Sequence, residues 1–150
     1  MQVTMSSDYA LRTLMQIARE GKDVVIPIRF ISREWQIPEK YLRKIVPLLA
    51  RAGLIHSHRG NGGGISLARP ATDITPRAVI EAIDGPITLN RCLSADHFCQ
   101  RENWCPMHTL WLQAREQLES VLDSKTLAQL AGEGAEQINC WLPAASTKKQ

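Results

Sequence analysis

The chain has 150 residues, 44% of them hydrophobic and 22% charged, enough apolar content for one ordinary domain with its own core or a small domain with an appendage. No apolar run approaches the roughly 18 residues that a membrane helix needs, and no charged-then-apolar signal segment opens the sequence. The expected location is therefore the cytoplasm, with no membrane partner and with thiols kept reduced. The net charge of +3 hides an asymmetry, because residues 1–70 carry 11 Lys/Arg against 5 Asp/Glu and residues 71–150 carry 7 against 10. A basic half suited to a polyanion is joined to an acidic half with another task.

Residues 7–20, SDYALRTLMQIARE, carry apolar groups at helical spacing (Tyr9, Leu11, Leu14, Met15, Ile17, Ala18). Ser6 or Ser7 is the expected cap and Gly21 the stop. Asp8 lies in the first turn, where a carboxylate suits the helix dipole. After Pro27, Ile28, Ile31 and Trp35 again recur at helical spacing, and Ile37-Pro38 breaks the run. Pro38 suits the first position of a second helix, PEKYLRKIVPLLARAG, ending at Gly53. Its expected buried side is Tyr41, Leu42, Ile45, Leu48 and Leu49, and Pro47 is expected to kink or shorten it.

Helix, tight break and basic helix together predict a helix-turn-helix whose second helix enters a DNA major groove. Strand-like residues 54–59 and 65–69 flank Gly60-Asn61-Gly62-Gly63-Gly64. A phosphate-cradling glycine loop needs a helix after it, so a β-hairpin is the expectation, and a hairpin after a recognition helix is a wing. For base discrimination the expected residues are Glu39, Lys40, Tyr41 and Arg43, with Arg43 able to make a bidentate contact to guanine. Lys44 and Arg59 are expected on the backbone or minor groove, where Gly60, Asn61 and Gly62 permit close approach.

Thr75-Pro76 starts a helix that ends at Gly85-Pro86. The next stretch, CLSADHFCQRENWCPMH, holds Cys92, Cys99 and Cys105, with six and five residues between them and His108 three positions after the last. Soft thiolates at this density suit zinc or an iron–sulfur cluster, and the spacing alone leaves the metal open. A metal-free thiol–disulfide switch is the other reading. Pro106 opens a long helix to about Asp123, with Met107, Leu110, Trp111, Ala114, Leu118, Val121 and Leu122 on one stripe. So little chain remains to cover it that homodimerisation along the stripe is expected.

The division is then 1–70 for the winged helix-turn-helix, 71–131 for the cluster loop and dimerisation helices, and 132–150 as a flexible tail. Cys140 lies in that tail and is not counted as a ligand. The fold class is mainly α with a small β-hairpin. No nucleophile elbow, second cofactor motif or acid–base pair points to an enzyme.

The opening MQVTMSSDYALRTLMQIA, the wing RGNGGGISLARP, the segment DITPRAVIEAIDGP and the three-cysteine loop together resemble the Rrf-type winged-helix transcription regulators of bacteria, over about residues 1–131. That resemblance implies a homodimer on a palindromic double-stranded DNA operator, and an iron–sulfur cluster on the three cysteines whose state alters DNA affinity. In the regulators of cluster biogenesis a histidine after the third cysteine ligates a two-iron cluster, and His108 matches it. In the nitric-oxide sensors an aspartate in the first helix of the other subunit ligates a four-iron cluster, which here is Asp8 of the partner subunit. The first cysteine spacing is one residue longer than in the biogenesis type; His108 and two irons are still preferred. The implied function is a regulator, a repressor by preference, sensing redox state, nitric oxide or iron and cluster supply. A zinc-bound or thiol-based regulator of the same fold is the alternative, and an electron carrier is the reading least favoured.

Overall fold

The computed structural model describes residues 3–21, 23–95 and 99–141, the last seven of these as backbone only. Six helices and one antiparallel hairpin follow in the order α1 (Met5–Glu20), α2 (Ile28–Trp35), α3 (Glu39–Arg51), β1 (Ile55–His58), β2 (Gly64–Leu67), α4 (Pro76–Asp84), α5 (Pro106–Asp123) and α6 (Leu127–Trp141).

The first helix begins earlier than its serines imply. Thr4 caps it by accepting from the Ser7 amide at 3.2 Å. Ser7 is itself buried and donates to Asp84 Oδ2 at 2.6 Å, while Thr4 Oγ1 donates to Asp84 Oδ1 at 2.8 Å. The carboxylate at the end of α4 thus satisfies donors at the start of α1, where negative charge also suits the helix dipole. Ala10, Leu14 and Ile17 on α1 are fully buried and run through the centre of the core.

The turn between α2 and α3 is built from Gln36 in the left-handed region (φ 52°). The Ile37 amide donates to Ser32 O at 3.0 Å, and Ser32 Oγ donates to Ile37 O at 2.6 Å. Ile37 is buried beneath the turn. Pro38 is the cap residue of α3, not its first residue, and Pro47 neither stops nor divides the helix, which continues to Arg51. Both Pro47 and Arg43, whose carbonyl loses its donor, are exposed, so water can supply the missing bond. Tyr41 is exposed instead of buried, its ring 5.7 Å from that of Tyr9, and Val46 takes a core place.

The hairpin pairs Ile55 with Leu67 through His58 with Gly64, somewhat shorter than the expected 54–59 and 65–69. Its second strand does not alternate: all four residues of β2 are buried. The strand has a partner on each edge. Ile65 exchanges two backbone hydrogen bonds with Ile26, both 2.9 Å, on the side away from β1. The sequence expectation missed this third element, since one residue leaves no periodic signature.

Thr75 caps α4, accepting from the Ala78 amide, and Gly85 ends it, both as expected. Leu127, fully buried, starts α6 against the core and donates its amide to Ile74 O at 2.9 Å. This helix runs to Trp141, past the expected boundary at 131. Residues 142–150 and the side chain of Cys140 lie outside the described residues.

Candidate nucleic-acid interface and metal centre

On α3 the apolar residues Leu42, Ile45, Val46 and Leu49 face the core, which turns Lys40, Tyr41, Arg43 and Lys44 outward. Glu39 is half-buried at the first turn and accepts from Arg43 Nη2 at 3.1 Å. A cleft of about 460 Å³ separates this end of α3 from the wing. Its walls carry Arg29, Glu39 and Arg43 on one side and His58, Asn61 and Gly62 on the other. Gly60 and Gly62 have φ of 95° and 83°, with open space where a Cβ would stand. Gly64 answers a different demand: a Cβ there would collide with Ile26 O. Arg59, Gly60 and Asn61 at the tip are all exposed.

The arrangement presents five exposed cations, Arg29, Lys40, Arg43, Lys44 and Arg59, on two projecting elements and the helix beneath them. Such a surface can bind phosphates and admit side chains to base edges. Arg29 is the residue the sequence reading did not single out. Its position on α2 follows from the helix-turn-helix, whose first helix crosses the DNA backbone.

Cys92 lies in a 3-10 turn (Arg91–Leu93), and Cys105 caps α5. Cys92, Cys99 and Cys105 are half-buried free thiols. His108, one turn into α5, is only 11% exposed; Nε2 stands 3.9 Å from Glu102 Oε1. Its Nδ1 is buried with no hydrogen-bond partner among the described residues. Asp8 pairs with Arg12 on its own helix at 3.0 Å. Among the described residues no three His, Cys, Asp or Glu side chains are gathered as a metal-binding group. The three cysteines and His108 are therefore near in sequence without forming one ligand set here. Their chemistry fits a thiolate-bound metal or cluster: three free sulfurs, and a buried imidazole nitrogen still lacking a partner.

Behind the cysteine segment, α5 is fastened to α4. Arg77 Nε donates to Glu81 at 3.0 Å, Nη1 to Asp123 at 3.1 Å, and Nη2 pairs with Glu119 at 3.2 Å. The hydrogen bonds to Glu81 and then Asp123 hold the Arg77 guanidinium above its ordinary range, so it stays charged. None of the residues of α5 is buried, and Met107, Leu110 and Val121 stand exposed on the expected stripe.

A family model described as Rrf2, iron-dependent transcriptional regulator, matches residues 3–133. The chain belongs to the Rrf2 family. HTH-type transcriptional regulators named IscR are similar to it, from Yersinia pseudotuberculosis at 35% identity over 130 residues and from Serratia proteamaculans at 33%. Each match covers 87% of this chain and 79% of the relative. Among solved structures, CymR of B. subtilis, the global cysteine regulator, superposes with a TM-score of 0.72 at 28% identity, over 89% of this chain and 98% of that one. The IscR of T. potens matches at 0.73 over 95% and 93%, and at 23% identity it bears on the fold alone. This Rrf2 protein is thus a winged-helix, DNA-binding transcriptional regulator, and none of its described helices is long and apolar enough to cross a membrane.

Proposed function

We propose that this Rrf2 protein is a homodimeric regulator, a repressor by preference, whose operator affinity is set by an iron–sulfur cluster held by Cys92, Cys99, Cys105 and His108. The observation that carries the reading is the buried, unpartnered Nδ1 of His108 at the head of α5, beside the loop of three free thiols. A two-iron cluster is preferred on this set; Asp8 of the partner subunit, with four irons, is the alternative, and would require Asp8 to leave Arg12. When bound, the cluster supplies iron–sulfur bonds that oxidants, nitric oxide or iron shortage can break. The working division is 1–70 for DNA binding and 71–131 for the cluster loop and dimer contact, with the exposed stripe of α5 as the dimer surface.

The chain's own contacts supply the transmission. Ligands at Cys92 and Cys105 would tie the Cys92 turn to the head of α5. Arg77 ties α5 to α4 through Glu119 and Asp123, and Asp84 ties α4 to the start of α1. A change in the loop can then bias the placement of two reading heads across a dimer, and DNA affinity follows the differential stability of the two arrangements. On the DNA, Lys40, Tyr41, Arg43 and Glu39 read bases, while Lys44, Arg59, Gly60, Asn61 and Gly62 meet the backbone or minor groove.

The test is anaerobic purification with a visible spectrum and iron and sulfide content, repeated for His108→Ala and Asp8→Ala. A coloured protein whose cluster is lost or altered in only one variant names the fourth ligand. A colourless protein that takes up no iron but binds zinc or cycles its thiols supports the second reading. That zinc or thiol reading has its own observation, three half-buried free cysteines on a fold shared with the cysteine regulator CymR.

A further inference from the structure

The DNA-facing cleft has a carboxylate at the centre of its cations. Glu39 accepts from Arg43 Nη2 at 3.1 Å and pairs across the turn with Nε of Arg29 at 3.7 Å. The Glu39 side chain is 35% exposed, against 82% for Arg29 and 65% for Arg43, so it lies beneath two guanidinium groups that reach outward. All three line the cleft opposite the wing. At this position the α3 dipole already favours a negative charge, so the carboxylate does not depend on the arginines for its partner.

We propose that Glu39 is a charge gate on this interface and that Arg29 is a phosphate-binding arginine the gate restrains. The proposal rests on the DNA-binding reading of α3 and the wing, and adds a specificity mechanism to it. In the free protein Glu39 cancels one of the two positive charges at the cleft. Exposed ion pairs of this kind are individually weak, so a phosphate can take Arg29 and a guanine edge can take Arg43. The carboxylate is then left facing DNA. Where a cytosine amino group lies within reach, Glu39 regains a donor; on other sequences it stays unpaired beside phosphates and disfavours the complex. Discrimination comes from a penalty on wrong sites as well as from contacts to the right one.

The experiment compares full-length wild type, Glu39→Gln, Arg29→Ala and the double variant, with helix content matched by circular dichroism. The probes are a random-sequence duplex pool and the duplex that wild type enriches from that pool, each titrated across a salt series. Glu39→Gln is expected to bind the random pool about three- to tenfold more tightly, with a log–log salt slope steeper by about one. Its gain on the enriched duplex is smaller, so the ratio of the two affinities falls. Arg29→Ala weakens both probes by a similar factor and flattens the slope by about one, and it does so in the Glu39→Gln background as well. The gate is overturned if Glu39→Gln leaves random-pool binding unchanged, or weakens both probes alike. The role of Arg29 is overturned if its removal leaves the salt slope as it was. Wild type that binds neither probe in a salt-dependent way sinks the interface reading itself, and the gate with it.

Discussion

Gly64→Ala is the substitution whose cost the structure defines most closely. The new Cβ would overlap Ile26 O, and would stand 2.6 Å from Ile26 C and 2.9 Å from Pro27 N. These are backbone atoms, which cannot rotate aside as a side-chain end does. Relief requires residues 26 and 27 to move off β2, which breaks the two 2.9 Å hydrogen bonds between Ile26 and Ile65. Both residues are buried, at 4% and 1% exposure, so each of the two bonds lost there costs about 1–3 kcal/mol, about 2–6 kcal/mol together. The lower entropy of the unfolded alanine chain returns roughly 0.4–1 kcal/mol. The expected net loss is about 1–5 kcal/mol, a large share of the 5–15 kcal/mol typical of a folded domain. Denaturant titration measures it, with Gly62→Ala as the internal comparison. That site has open space and φ of 83°, so only the left-handed strain of about 1–2 kcal/mol applies. If Gly64→Ala proved within about 0.5 kcal/mol of wild type, or milder than Gly62→Ala, the close approach of Ile26 would be the wrong explanation for this glycine.

Gln36 holds a left-handed conformation with a full side chain, so Gln36→Gly is expected to raise stability by about 0.5–1 kcal/mol in the same titration; a loss would mean the side chain earns its place in a contact. Asp84→Ala removes the acceptor for Thr4 and Ser7 and is expected to cost about 1–2 kcal/mol, with early fraying of α1 visible as faster amide exchange at residues 5–8. Arg77→Gln should loosen α5 from α4, read as faster exchange over residues 115–123 with the α1 amides unchanged, and equal protection in both proteins would remove Arg77 from the coupling path. Arg43→Ala should weaken operator binding by about 1–3 kcal/mol and relax sequence preference; a uniform loss with unchanged preference would make Arg43 a backbone contact.

Much of the fold was legible because local rules agreed with one another. Thr75-Pro76 and Gly85 bracket α4 by capping chemistry alone, and the Ile37-Pro38 break between two amphipathic runs marks the helix-turn-helix. Leu42, Ile45 and Leu49 assign the inward face of α3, and by elimination the outward cations. Tyr41 was misplaced because periodicity cannot tell an aromatic at the edge of a buried stripe from one inside it; here the Tyr9 ring provides a half-covered seat. Pro47 was expected to disturb α3 because local geometry assumes the lost hydrogen bond matters equally on every face. Helix α6 passes the boundary expected at residue 131 and runs through both Gly132 and Gly134, residues that local propensity alone counts against a helix.

The sequence by itself determined the elements whose causes lie within a few residues: caps, breaks, helix faces, the hairpin, and which residue types stand in the cysteine loop. It also determined the division of charge that marks one half for a polyanion. Only the tertiary structure decided the rest, because the causes lie far apart in the chain. Asp84 meets Thr4 and Ser7 across about 80 residues, Ile26 completes the edge of β2, and Arg77 joins two helices through Glu119 and Asp123. The pairing of Glu39 with Arg29 belongs to the same class, since it depends on how the turn at Gln36 folds α2 back against α3. Spacing along the chain names the groups that can meet; packing of the helices chooses which of them do.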